Sequence, residues 1–281
     1  MKIVSSIKEM AAFSCMARDK GRSIGFVPTM GALHEGHLSL VRRSRRDNDI
    51  TVVSIFVNPI QFGPGEDYAR YPRDLKRDAG LCRREGVDMI FYPRADQLYP
   101  CGYATYVSVD GLSDILCGKF RPGHFKGVAT VVTKLFNIIA PDRAYFGQKD
   151  AQQAAIIKKL SEDLNMRVKI NVMPTFREKD GLAASSRNAY LNKKEREDAR
   201  VLYQALTLAK QLVRRGCTDT GSIIAKMKQA IASKRSARVQ YIAIVDPGDL
   251  KPLNRIKGKA LVALGVWIGK TRLIDNAVVG R

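Results

Sequence analysis

The chain has 281 residues, 45% of them hydrophobic, which is enough for a buried core and more than one typical domain needs. Its 48 Lys and Arg against 27 Asp and Glu leave a formal charge of +21, so anionic partners such as nucleotides, phosphates, acidic metabolites or nucleic acid are favoured. No apolar stretch reaches membrane-spanning length, the N-terminus lacks a signal-peptide pattern, and five scattered cysteines without a CxxC pair argue against a disulfide framework or zinc site. These features predict a cytoplasmic protein.

Along the chain, residues 23–28 form a short apolar run ending in Pro28, and a helical pattern follows with Leu38, Leu40 and Val41 on its apolar side. Residues 49–58 are nearly all apolar and β-branched, as suits a central parallel strand buried on both faces. A polar-faced helix over 72–86 and a buried strand over 87–92 come next. Helical spacing over 130–139 is stopped by Pro141, and strand, helix and strand follow at 144–147, 150–164 and 166–172. This rhythm predicts an α/β fold with a Rossmann-like, doubly wound parallel sheet over residues 1–175, whose ligands sit beyond the carboxyl ends of the strands. Beyond a charged loop at 177–188, helices near 193–214 and 222–233 and strands at 238–245, 260–266 and 271–275 predict a smaller α+β domain over 176–281.

All three histidines, His34, His37 and His124, lie among glycines. The first two close the segment PTMGALHEGH at 28–37, where a strand ends, a glycine permits a turn and a helix begins. Such a turn aims backbone N–H groups and the positive helix end at an anion, and imidazoles there can donate to phosphate oxygens. A metal site is the alternative for a His-x-x-His pair, but no nearby third ligand completes one. The segment AASSRN at 183–188 supplies hydroxyls and a guanidinium matched to phosphate, although an ordinary polar loop has the same composition. The basic run RRSRR at 42–46 reads as the wet face of a helix rather than an RNA site. Asp67 and Asp78 are conceivable metal-side carboxylates that read better as salt-bridging surface acids.

Together these two motifs resemble the nucleotidylyltransferase superfamily, and within it the chain is similar to the pantothenate synthetase (pantoate–β-alanine ligase) family. The similarity runs through SIFVNPIQF (54–62), Glu66-Asp67, Tyr71-Pro72-Arg73, RPGHFKGV (121–128), FGQKDAQQ (146–153), REKDGLAASSRNAYL (177–191) and RLIDN (272–276). It implies a ligase that condenses pantoate with β-alanine, using ATP and Mg²⁺, through a pantoyl-adenylate. It implies that Met30, Gly31, Ala32, Leu33, His34, Glu35, Gly36 and His37 line the ATP site, with His37, His34 and Lys149 catalytic. Gly147, Gln148, Lys149 and Asp150 add ATP contacts, the backbone of Phe176 meets adenine, and Ala184, Ser185, Ser186 and Arg187 close over the phosphates. Gln61 and Gln153 hold pantoate, and Gln61 also meets β-alanine; Arg121 and His124 belong to a flexible-looking loop at 118–127. The sequence departs from the family pattern at Phe176 and Ala184, where smaller and larger apolar residues respectively are common. The resemblance further implies a homodimer, with neither membrane nor nucleic acid as partner. Two other functions remain open: transfer of a nucleotide to a phosphorylated acceptor, which retains the nucleotide in its product, and RNA binding on the basic surface, which is strongly salt-dependent.

Overall fold

The computed structural model describes residues 1–280 and divides into two compact units, residues 1–147 with 156–174, and residues 148–155 with 175–280. The first unit contains, in chain order, β1 (Lys2–Val4), α1 (Ile7–Asp19), β2 (Ile24–Thr29), α2 (Glu35–Asp47), β3 (Ile50–Ile55), α3 (Leu75–Arg84), β4 (Met89–Phe91), α4 (Ala95–Leu98), α5 (His124–Ile139) and β5 (Arg143–Gly147). Helix α6 (Ala151–Asp163) then crosses the division, and β6 (Lys169–Met173) returns to the first unit.

Six parallel strands form one sheet in the order β1-β4-β3-β2-β5-β6. Strand β2 is where the order reverses, so the crevice beyond the ends of β2 and β5 is the expected ligand position. Registered pairing between β2 and β5 covers Gly25 with Arg143 and Phe26 with Ala144, leaving the carboxyl ends of both strands outside the ladder. The apolar run expected as a central strand is β3, buried at every residue. Its two faces feed separate clusters, Val52 into one with Phe26, Val128 and Phe136, and Val53 into another with Val27, Leu33 and Val41. Helix α2 lies so close to β2 that any side chain at Gly25 would collide with Ser44 and Asn48.

Strand β1 and helix α1 have no clear signal in the sequence. The strand is three residues long and largely exposed at the sheet edge, and α1 mixes its few buried positions (Met10, Ser14, Ala17) with many polar ones. Helix α5 starts at His124, six residues before the apolar spacing becomes regular, because Gly123 in the left-handed conformation opens it and Phe125 and Val128 are already buried.

The second unit contains α7 (Lys193–Asp198), α8 (Val201–Arg214), α9 (Thr220–Ala232) and the antiparallel strands β7 (Ala237–Val245), β8 (Ala260–Ile268) and β9 (Thr271–Val279), ordered β7-β8-β9. Its core joins Leu202, Leu206, Ile223 and Met227 of the helices to Val262, Leu264 and Val266 of the central strand. The single helix expected over 193–214 is divided at Ala199–Arg200.

Candidate active site

The segment after β2 is built so that almost every main-chain N–H is already taken. Gly31 (φ +82°) and Ala32 (φ +50°) are both left-handed, the first at no steric cost and the second strained for a residue with a Cβ. The Gly31 N–H donates to Thr29 Oγ1 (3.1 Å), while Ala32 and Leu33 donate to Asp78 Oδ2 (2.8 Å) and Oδ1 (2.9 Å). The Gly36 N–H donates to His34 Nδ1 (3.1 Å) and the His34 N–H to His37 Nδ1 (3.4 Å), a reciprocal box that starts α2 with His34 as its N-cap. The sequence predicts turn N–H groups facing a bound anion and a helix that starts at the second histidine. Instead, α2 begins at Glu35 and the anion filling the turn is Asp78.

Asp78 is correspondingly no surface acid: it is 1% exposed, on α3, with only a longer contact to Arg77 (3.5 Å). Burial pushes its carboxyl above the ordinary range, against the opposing pull of the Leu33 and Ala32 N–H groups. A cavity of ≈ 190 Å³ opens beside the turn, lined in part by Met30, Gly31, Phe56, Asp78 and Tyr92.

Because both Nδ1 atoms accept, a neutral ring of His34 or His37 carries its proton on Nε2. The rings are stacked at a tilt, 4.1 Å between centroids. Two imidazole rings are thereby fixed in orientation by the backbone of one helix turn.

Gln61 lies in a 3-10 turn (Pro59–Gln61) and is buried. Its Oε1 accepts from Asn58 Nδ2 (3.1 Å) and its Nε2 contacts Met30 Sδ (3.0 Å), so the amide's orientation is fixed with NH₂ toward the β2 turn. Asn58, 1% exposed, is itself held by Gly127 O (3.0 Å) and Tyr99 OH (2.8 Å). Any Cβ at Gly127 would fall 2.5 Å from Ile60 O, so glycine is required for α5 to lie against this turn.

Arg121 and His124 are not in a flexible loop. Residues 118–120 form a 3-10 turn, His124 is the first residue of α5, and Arg121 grips both oxygens of Glu66 (2.7 and 2.5 Å). Arginine has only donors, so the 2.9 Å contact from Arg121 Nη1 makes His124 Nε2 the acceptor and leaves Nδ1 to donate to Gln61 O (2.8 Å). Burial raises the Glu66 carboxyl, but the Arg121 hydrogen bonds and charge outweigh it and hold the group below the usual range.

In the second unit, Gln148, Lys149 and Asp150 form a 3-10 turn, with Lys149 Nζ 3.5 Å from Asp150 Oδ1. Gln153 is half-buried on the first turn of α6. Phe176 is 37% exposed and its carbonyl accepts from the Ala184 N–H (3.0 Å), while Ala184 itself is buried. Ser185 caps a 3-10 turn (Ser186–Tyr190) by accepting from the Arg187 N–H (3.3 Å). Around this loop Arg177 pairs with Asp275, Arg196 with Glu178 and Asp180, and Asn188 with Glu178. Hydrogen bonding from Arg196 lowers the Asp180 carboxyl. The sequence assigns no role to Asn58, Glu66, Asp275 or Asn276, because each acts on a partner many residues away or on a backbone atom that a motif does not display.

The basic run 42–46 is the wet helix face that its composition predicts. Arg42 bridges Glu35 and Glu85, Arg43 pairs with Asp47, and Arg45 with Asp88. No described helix is long and apolar enough to cross a membrane.

A parallel sheet whose strand order reverses at β2, with a paired-histidine helix start just after that strand, defines a doubly wound α/β protein of the HxGH type. Residues 2–278 match the pantoate-beta-alanine ligase family, and the chain belongs to that family. It is 56% identical over 279 residues to a pantothenate synthetase of Caldicellulosiruptor bescii and 53% identical over 280 residues to that of Thermotoga petrophila, covering 99–100% of each chain. Among solved structures it is similar to a pantothenate synthetase from Thermus thermophilus (45% identity, TM-score 0.94, 99% of both chains). A pantoate-beta-alanine ligase from Francisella tularensis, complexed with beta-gamma ATP and beta-alanine, is 36% identical with a TM-score of 0.80, over 99% of this chain and 97% of that one.

Proposed function

We propose that this protein condenses (R)-pantoate with β-alanine at the expense of ATP, giving pantothenate, AMP and pyrophosphate through a pantoyl-adenylate. The observation that carries the reading is family identity over 99% of the chain with the paired-histidine turn intact and both rings locked as Nε2–H donors.

A carboxylate resists amine attack because its charge and resonance repel a nucleophile and its leaving group would be oxide. Attack of a pantoate oxygen on the α-phosphorus expels pyrophosphate and converts that oxide into AMP, a good leaving group. The β-alanine amine then attacks the acyl carbon, and AMP departs. The protein forms no covalent bond; it positions reactants and stabilises charge on the phosphates. We assign the Nε2–H groups of His34 and His37 to phosphate oxygens, and Met30 to Gly36 to the wall of the ATP site. Gly147, Gln148, Lys149 and Asp150 supply further ATP contacts, with the Lys149 ammonium on the phosphates. The Phe176 backbone is assigned to adenine, and Ala184, Ser185, Ser186 and Arg187 to the phosphates. Gln61 and Gln153 take pantoate, with Gln61 also meeting β-alanine; amides hydrogen-bond an acid without neutralising its attacking oxygen.

Magnesium belongs here to the substrate, as Mg-ATP. An ion bound in this way is held largely by phosphates and water. A cytoplasmic homodimer is proposed on family grounds, and light scattering checks the assembly.

The test is to incubate the protein with Mg-ATP and pantoate, with and without β-alanine, and identify the nucleotide. Pantoate-dependent pyrophosphate release, with AMP and pantothenate on adding β-alanine, is expected. A nucleotide retained on its acceptor, or turnover indifferent to pantoate, overturns the reading.

A further inference from the structure

We infer that Asp275 and Asn276, neighbours on β9, are positioning residues for ATP, each fixing a different ATP-binding segment; this rests on the function proposed above. Both are almost wholly buried, at 2% and 4% exposure. Side chains alternate along a strand, so adjacent residues can reach separate segments.

The Asn276 side-chain amide spends both hydrogens on consecutive carbonyls, Gln148 O (2.8 Å) and Lys149 O (2.9 Å). Its Oδ1 accepts from Gln148 Nε2 (3.2 Å). Two of these hydrogen bonds hold the main chain from which the Lys149 ammonium projects, and the third holds the Gln148 side chain beside it. Among side chains of this size only asparagine offers two donors and an acceptor in that fork. Aspartate is nearly isosteric, but it would set a carboxylate oxygen against two carbonyls.

Asp275 receives Arg177 through two parallel bonds, from Nη1 (2.7 Å) and Nη2 (3.0 Å). The same guanidinium donates to Gly181 O (3.0 Å) and lies 4.8 Å from the centre of the Tyr203 ring. Arg177 and Ala183 are bridged through the backbone, so the clamp fixes both stems of the loop that carries Ser185, Ser186 and Arg187. One dipeptide therefore sets the spacing of two segments that lie far apart in sequence.

The test uses the full-length protein, with ATP affinity read both by calorimetric titration and by the KM of pantoate-dependent pyrophosphate release. Asn276→Ala should weaken ATP about tenfold while the pantoate KM stays within about twofold, and Asn276→Asp should weaken it further. In a Lys149→Ala background the Asn276→Ala loss should shrink to about threefold or less, because both changes disable one lysine. Asp275→Asn should show the same dependence on Arg187. Gln148→Ala, at a half-buried residue that folding tolerates, should cost about threefold in ATP affinity. Full additivity with Lys149→Ala, an equal rise in pantoate and ATP KM, or unchanged ATP affinity in folded Gln148→Ala each overturn the inference. Loss of pantoate dependence in the wild type would instead strike the proposed reaction, since ATP titration reads positioning without it.

Discussion

The turn after β2 and the loop after residue 176 are built by opposite means. In the first, side chains close on neighbouring main chain: Thr29, His34 and His37 accept N–H groups within three residues, and only Asp78 comes from elsewhere. In the second, charged side chains reach across the second unit, Arg177 to Asp275 and Arg196 to Glu178 and Asp180. A locally closed turn gives donors that are preorganised before substrate arrives, at the cost of an Ala32 held in the left-handed region. The second loop is instead fixed at its stems by ion pairs to distant residues, the Arg177–Asp275 pair being almost wholly buried on its acidic side.

The sharpest way to break this contrast is at its most preorganised donor. His37→Ala should slow pyrophosphate release by about 100- to 1000-fold, the scale for losing one fixed donor, and Lys149→Ala should act similarly; near-normal release removes either residue from its role. Asp78→Ala comes next. It leaves the buried Leu33 N–H and the half-buried Ala32 N–H without an acceptor and should lower stability by about 1–3 kcal/mol in denaturant titration, with adenylation slowed alongside. Unchanged stability would mean that the turn holds itself.

Gln61→Ala should raise the pantoate KM more than it lowers kcat, and an unchanged pantoate dependence takes it out of that pocket. A pH series sharpens the role of the Glu66–Arg121 pair. Glu66 is depressed from 4.5, so its stabilising effect is complete above that value and lost as pH falls through its lower, folded pKa. Wild type should accordingly be more stable than Glu66→Gln at pH 7, the gap closing only in acid; a gap that persists there assigns the effect to shape instead of charge. The smallest effect is expected at Arg42→Ala, itself 41% exposed, with Glu35 in solvent and Glu85 half-buried: about 1 kcal/mol.

Legibility in the sequence follows the same division. The β2 turn is contiguous, so strand, glycine and histidines announce it. Strands β3 and β4 are readable from their apolar runs, and the doubly wound sheet from their alternation with helices. What stays hidden is long-range. Asp78 looks like any acid on a polar helix, and nothing local marks it as the acceptor for residues 32 and 33. Asp275 and Asn276 sit in an ordinary strand, their partners about 100 and 130 residues away in sequence. His124 reads as loop because the glycines on either side of it disguise a helix start.

The reciprocal cap at His34 and His37 ties protonation to architecture. A second proton on either ring must land on the nitrogen that receives a backbone hydrogen, so charging the imidazole removes a cap bond from the start of α2. Protonation of either ring should then register as faster amide exchange at Gly36 or His34, the two N–H groups that the rings accept.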